Sequence, residues 1–146
     1  MLANLLTGAA CIGLEIQPAL VQAAQGRAAW LKLDRTRFVA GDAADLLRFI
    51  STGTVFFLYC PFGGERVARI LDDLEAIART REIRICCVHM PPLDRPWLAR
   101  LPSTSVELDV YRSTLPCSAS VPCRDDDPDA LPAVGKAGGY ASVGPR

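Results

Sequence analysis

Residues 54 to 60, Thr-Val-Phe-Phe-Leu-Tyr-Cys, form an uncharged run that stops at Pro61-Phe62-Gly63-Gly64 and opens at Glu65 into a helical pattern. A half-exposed strand would alternate, and the run is too short for a buried helix. It therefore reads as a strand covered on both faces, the usual condition in a parallel sheet. Open α/β sheets bind ligands just past the carboxyl ends of their strands, which makes Tyr59, Cys60, Pro61 and Phe62 candidate functional residues.

The rest of the chain alternates strand and helix around this element. Cys11 to Ile16 is a short apolar run, and Pro18 suits the first turn of a helix that continues to about Leu33. Thr36 to Ala40 is β-prone and closes on Gly41-Asp42, after which Ala43 to Ile50 has room for two helical turns. Beyond Glu65, the residues Val67, Ile70, Leu71, Leu74, Ile77 and Ala78 recur at three- and four-residue steps and share one helical face. Ile83 to Met90 reads as another strand and Arg95 to Leu101 as a short helix. Ser105 to Tyr111 alternates with period two, which suits an antiparallel or edge strand. Alternating elements of this kind predict an α/β, Rossmann-like fold: a mainly parallel sheet with helices on both faces and an antiparallel strand at the C-terminal end. One domain over residues 1 to 112 is expected. From Ser113 onward Pro, Ser, Asp and Gly dominate, and residues 113 to 146 read as a disordered tail.

Charge narrows the partners. Sixteen basic and sixteen acidic residues cancel to a net charge of zero, so nothing global attracts nucleic acid or an anionic membrane, and a protein or small-molecule partner is favoured. No apolar run approaches the ~20 residues that span a bilayer, and no basic segment precedes the first apolar run as in a signal peptide. Cys11, Cys60, Cys86 and Cys87 fall inside apolar runs, which suits reduced core thiols and a cytoplasmic location. No metal ligand set is apparent: Cys117 and Cys123 are too widely spaced for a zinc knuckle, and Asp125 to Asp127 lack the glycine and terminal glutamate of a calcium loop. Cys60 and the single histidine, His89, have no third group to orient them as a nucleophile and base.

Glu15 ends the first strand and Asp42 follows the second, so two carboxylates stand at neighbouring carboxyl edges of the sheet. They suit either hydrogen bonding to ribose hydroxyls and an adenine amino group, or helix capping and solvation. At this point the order of elements resembles the class I S-adenosylmethionine-dependent methyltransferases over roughly residues 1 to 112. The resemblance is carried by Ile12-Gly-Leu-Glu-Ile-Gln-Pro18, Val39-Ala-Gly-Asp-Ala43, Leu58-Tyr-Cys-Pro-Phe-Gly-Gly64 and Val106-Glu-Leu-Asp-Val-Tyr111. It implies that S-adenosylmethionine is the cofactor, with Glu15 and Ile16 at its ribose, Asp42 and Ala43 at its adenine, and Tyr59 at the adjoining strand end. Cys60, Pro61 and Phe62 would then lie beside the methyl donor and acceptor. The family's first strand and Gly-rich loop have no counterpart here, so the expectation is a sheet without its central strand, a truncated N-terminus and weakened cofactor affinity. Cys60 stands where relatives that methylate base amines carry Asn or Asp, which disfavours a nucleic-acid base as acceptor. Two other readings remain open: a non-catalytic Rossmann-like interaction module, and a fragment of an NAD-dependent oxidoreductase.

Overall fold

The computed structural model describes residues 1–50, 52–59 and 64–116. Its elements follow in the order α1 (Leu2–Thr7), β1 (Cys11–Glu15), α2 (Pro18–Trp30), β2 (Thr36–Ala40) and α3 (Ala43–Leu46), the last continuing as a single 3-10 turn over Leu47–Phe49. After these come β3 (Val55–Tyr59), α4 (Glu65–Ala78), β4 (Arg84–Val88), β5 (Leu98–Leu101) and β6 (Leu108–Ser113). The architecture is the mixed α/β type, with parallel and antiparallel pairings. β1 pairs with β2 and β3 with β4, both parallel, while β6 pairs antiparallel with β4 on one side and β5 on the other.

The strands form two sheets rather than one: β1-β2, and β3-β4-β6-β5. α4 supplies most of the core of the larger sheet. Ile70, Leu71, Leu74, Ile77 and Ala78 are all buried and pack with Ile83, Ile85, Cys87, Trp97 and Tyr111. Each large side chain on that face contributes about 2 kcal/mol by leaving water. Gly64, with φ +53, begins the helix where a side chain would be strained. In the smaller sheet α2 packs on β1 and β2, burying Val21 and Ala28.

Two expectations are corrected. β3 is not covered on both faces: Val55, Phe57 and Tyr59 are 62, 63 and 60% exposed, while Phe56 and Leu58 pack against the core under α4. Apolar residues on both faces made the run read as fully buried, whereas the register places only alternate residues toward the helix. Leu98–Leu101 is a strand, not part of a helix, because its backbone finds a ladder: Leu98 is opposite Ser113 and Leu101 opposite Val110. β6 is antiparallel, as expected, and lies between β4 and β5. It extends to Ser113, whose buried hydroxyl accepts a hydrogen bond from the Ile83 amide at 2.9 Å. The tail expected beyond that strand falls, from residue 117 onward, outside the described residues.

Candidate functional site at the carboxyl rim

Glu15 closes β1. Its backbone carbonyl accepts a hydrogen bond from Gly41 N at 2.9 Å, which draws the turn after β2 onto the end of β1. Its side-chain Oε1 accepts from Gln17 N at 2.9 Å, satisfying a donor just before α2, while Oε2 has no partner among the described residues. Asp42 is the N-cap of α3: Oδ1 accepts from Ala44 N at 2.9 Å, and Oδ2 lies 3.5 Å from Arg66 Nε. Gly41 makes this placement possible. Its φ is +151°, and a Cβ there would stand 2.6 Å from Leu46 Cδ1.

The structure thus brings Glu15 and Asp42 to one rim, where Asp42 caps α3 with Oδ1 and Glu15 accepts from the backbone N–H of Gln17 just before α2. A carboxylate offers about four lone-pair directions, so each retains acceptor capacity toward donors such as ribose hydroxyls or an exocyclic amine. Asp42 is the more enclosed, with a side chain 16% exposed against 55% for Arg66.

Ile16, immediately after Glu15, is exposed, and Ala43, immediately after Asp42, is half-buried against the core. Tyr59 is not joined to either acid. Its ring meets His89 edge to face, with centroids 5.8 Å apart and planes at 77°, and His89 sits in the left-handed region at φ 54. This pairing places the exposed histidine at the end of β4 beside the end of β3. Cys60, Pro61 and Phe62 lie outside the described residues.

Arg66 and Arg69 were not singled out by the sequence. Arg69 Nη1 lies 3.4 Å from Asp45 Oδ1, so Asp42 and Asp45 in the first turn of α3 face two arginines of α4 at the same three-residue spacing. Cations near a helix N-terminus oppose the helix dipole, and the two acids offset that. The only available signal was the matched i,i+3 spacing of Asp42/Asp45 and Arg66/Arg69. On the larger sheet, burial pushes the Cys86 thiol up, against a lowering by Arg84. Burial, with Cys86 and Asp109 adding to it, pushes Cys87 up to about 11. Both are poor nucleophiles as a result.

Two depressions open on the surface. One, about 600 Å³, lies between α2 and β2 near Lys32, Thr36 and Arg37. The other, about 530 Å³, is formed by the β5–β6 connection near Ser103 and Asp109. Neither of these two includes Glu15 or Asp42. No helix among the described residues is long and apolar enough to cross a membrane.

No family model matches the chain, and no curated protein matches it. Several solved structures do. The candidate methyltransferase yhhF from Escherichia coli is 18% identical, with a TM-score of 0.53 over 70% of this chain and 61% of its own. The candidate methylase HI0767 from Haemophilus influenzae is 16% identical, with a TM-score of 0.53 and 72% of each chain covered. An rRNA methylase from Streptococcus thermophilus is 10% identical, with a TM-score of 0.51 over 72% of this chain and 73% of its own. This chain therefore spans less than two thirds of the length of yhhF. The likeness is one of fold: the chain shares the Rossmann-like α/β fold of these methyltransferase structures.

Proposed function

We propose that the chain is a methyltransferase domain that binds S-adenosylmethionine along its carboxyl rim and transfers the methyl group to a protein or small-molecule acceptor. The observation that carries this reading is the convergence of Glu15 and Asp42 on one rim, each with acceptor capacity left after accepting from a backbone N–H. When bound, S-adenosylmethionine supplies an electrophilic methyl group on a sulfonium centre. Glu15 accepts hydrogen bonds from the ribose hydroxyls, with Ile16 beside it. Asp42 accepts from the adenine amino group, with Ala43 beside it. Tyr59 stands at the strand end that leads into Cys60, Pro61 and Phe62, the segment proposed to orient the acceptor and exclude water.

The residues act by positioning, since direct displacement at a sulfonium methyl needs alignment more than acid or base assistance. Unpaired thiols at Cys11, Cys86 and Cys87 support a reducing, cytoplasmic setting. The zero net charge supports a protein or small molecule over RNA as acceptor, although one structural neighbour acts on rRNA by name.

The test is calorimetric titration with S-adenosylhomocysteine. Glu15→Ala should weaken binding about 10- to 100-fold, the loss of a charge-assisted hydrogen bond worth about 1.5–3 kcal/mol. A second reading, a non-catalytic interaction module, is favoured by one observation: among the described residues the two sheets do not join between β1 and β3. A folded chain that binds neither S-adenosylhomocysteine nor S-adenosylmethionine would support that reading instead.

A further inference from the structure

α2 ends on a residue that its backbone does not favour. Leu33 N donates to Ala28 O at 2.9 Å and Lys32 N to Ala29 O at 3.1 Å, the paired bonds of a helix-ending turn whose left-handed position is usually glycine. Lys32 occupies that position at φ 55, where a residue with a Cβ is strained. A second departure lies at the start of β2. Thr36 is only 4% exposed, and its Oγ1 has no hydrogen-bond partner among the described residues. A buried hydroxyl left unsatisfied is costly. Both residues line the depression of about 600 Å³ between α2 and β2, a size that suits a small ligand.

The same depression carries free charges of both signs. The Lys32 ammonium and the Asp34 carboxylate have no partner among the described residues. Arg37 is held in place, because Nη1 donates to Asp34 O and Thr36 O, both at 3.3 Å, and this leaves Nε and Nη2 for another acceptor. Gln25 Nε2 donates to Phe38 O at 3.1 Å, which leaves Oε1 as an acceptor. Ala28, Leu33 and Phe38 supply apolar lining. Two cations alone select an anion. Asp34, together with the carbonyl end of α2, where the helix dipole is negative, selects a cation beside it. The combination suits a molecule that carries both charges.

We propose that this depression binds a small zwitterion with an apolar side chain, of which a free α-amino acid is the simplest case. Lys32, Arg37 and the Thr36 hydroxyl hold its carboxylate, Asp34 and Gln25 Oε1 hold its ammonium, and its side chain lies on Leu33 and Phe38. The carboxylate supplies the acceptor that Thr36 Oγ1 lacks. Backbone strain gathers at functional positions, and at Lys32 it keeps a cation where a glycine would leave none. Thr36 opens β2 while Asp42 follows its far end, so this site is separate from the carboxyl rim and does not rest on the methyl-transfer reading.

The test is calorimetric titration of the full chain with L-phenylalanine, beside hydrocinnamate and phenethylamine, which keep the ring but lack the ammonium and the carboxylate respectively. The expected result is one site per chain for L-phenylalanine, with each of the other two bound at least about tenfold more weakly. Lys32→Gly relieves the left-handed strain, so the variant should fold at least as firmly, yet bind L-phenylalanine at least about fivefold more weakly. Thr36→Val keeps the shape and removes only the hydroxyl, and should weaken binding about threefold. Asp34→Asn should narrow the gap between L-phenylalanine and hydrocinnamate. Should Thr36→Val not fold, Lys32→Gly and the comparison of the three compounds decide. No saturable binding of L-phenylalanine up to about 10 mM overturns the proposal. So does hydrocinnamate or phenethylamine bound as tightly as L-phenylalanine, which marks a site for one charge alone. Affinity undiminished in Lys32→Gly, or a gap unchanged in Asp34→Asn, also overturns it. Saturating S-adenosylhomocysteine should leave L-phenylalanine binding unchanged. Competition between the two overturns the proposal, because the amino acid then occupies the methyl donor's site.

Discussion

Arg66 Nε lies 3.5 Å from Asp42 Oδ2, an ion pair that links the turn after β2 to the first turn of α4 and so ties the smaller sheet to the larger one. Arg66 is largely exposed, so the pair is expected to contribute less than about 1 kcal/mol to folding. Its role is to orient a carboxylate whose other oxygen caps α3. A double-mutant cycle of Arg66→Ala and Asp42→Asn, read by urea unfolding, should give a coupling of about 0.3–1 kcal/mol. A coupling near zero would mean that the two residues do not meet in solution.

Gly41→Ala tests how the rim is built. The backbone there lies at φ +151°, and the added methyl would meet Leu46 Cδ1 at 2.6 Å, so the turn or Leu46 must shift. A loss of about 1–3 kcal/mol is expected, together with weaker S-adenosylhomocysteine binding, because Asp42 follows directly. Unchanged stability and affinity would show that the turn relaxes freely.

The face of α4 was legible in the sequence because Ile70, Leu71, Leu74 and Ile77 recur at helical steps. Leu74 is fully buried, and Leu74→Ala should cost about 2–5 kcal/mol. Phe57, at 63% exposure, should cost far less as Phe57→Ser in the isolated chain, within about 0.5 kcal/mol. Chemical denaturation of both variants checks the contrast, and equal losses would mean that the open face of β3 is covered.

That contrast also shows where sequence reading stops. Residues 55 to 59 are apolar at every position, so nothing in their order distinguishes the face under α4 from the open one, and only the position of the helix decides it. Leu98–Leu101 has the composition of a helix and is a strand because β6 offers it a ladder. Glu15 and Asp42 were found because strand ends are visible in the chain. Arg66 was not, because its partner lies two elements away and the matched three-residue spacing of Asp42/Asp45 and Arg66/Arg69 is the one trace the pairing leaves in the chain.

Cys87 gives the chain a pH dependence on the alkaline side. Burial first, then Cys86 and Asp109, raises its thiol from 9.0 to about 11. Below about pH 9 the thiol is protonated whether the chain is folded or unfolded, and its contribution is whole. Between about pH 9 and 11 the unfolded chain ionises first, so stability falls as pH rises, by on the order of 2 kcal/mol. Cys87→Ala should flatten this part of the stability profile while lowering stability at neutral pH through the space it leaves. A profile of the same slope in the variant would assign the loss to another group.

The central claim is that the rim holding Glu15 and Asp42 binds the methyl donor, and isothermal titration of the chain with S-adenosylhomocysteine tests it most directly. The account predicts one site per chain, weakened at least about tenfold in Glu15→Ala and in Asp42→Asn, with both variants folded by circular dichroism. Binding of equal strength in the chain and both variants, or no binding by the folded chain, would contradict it.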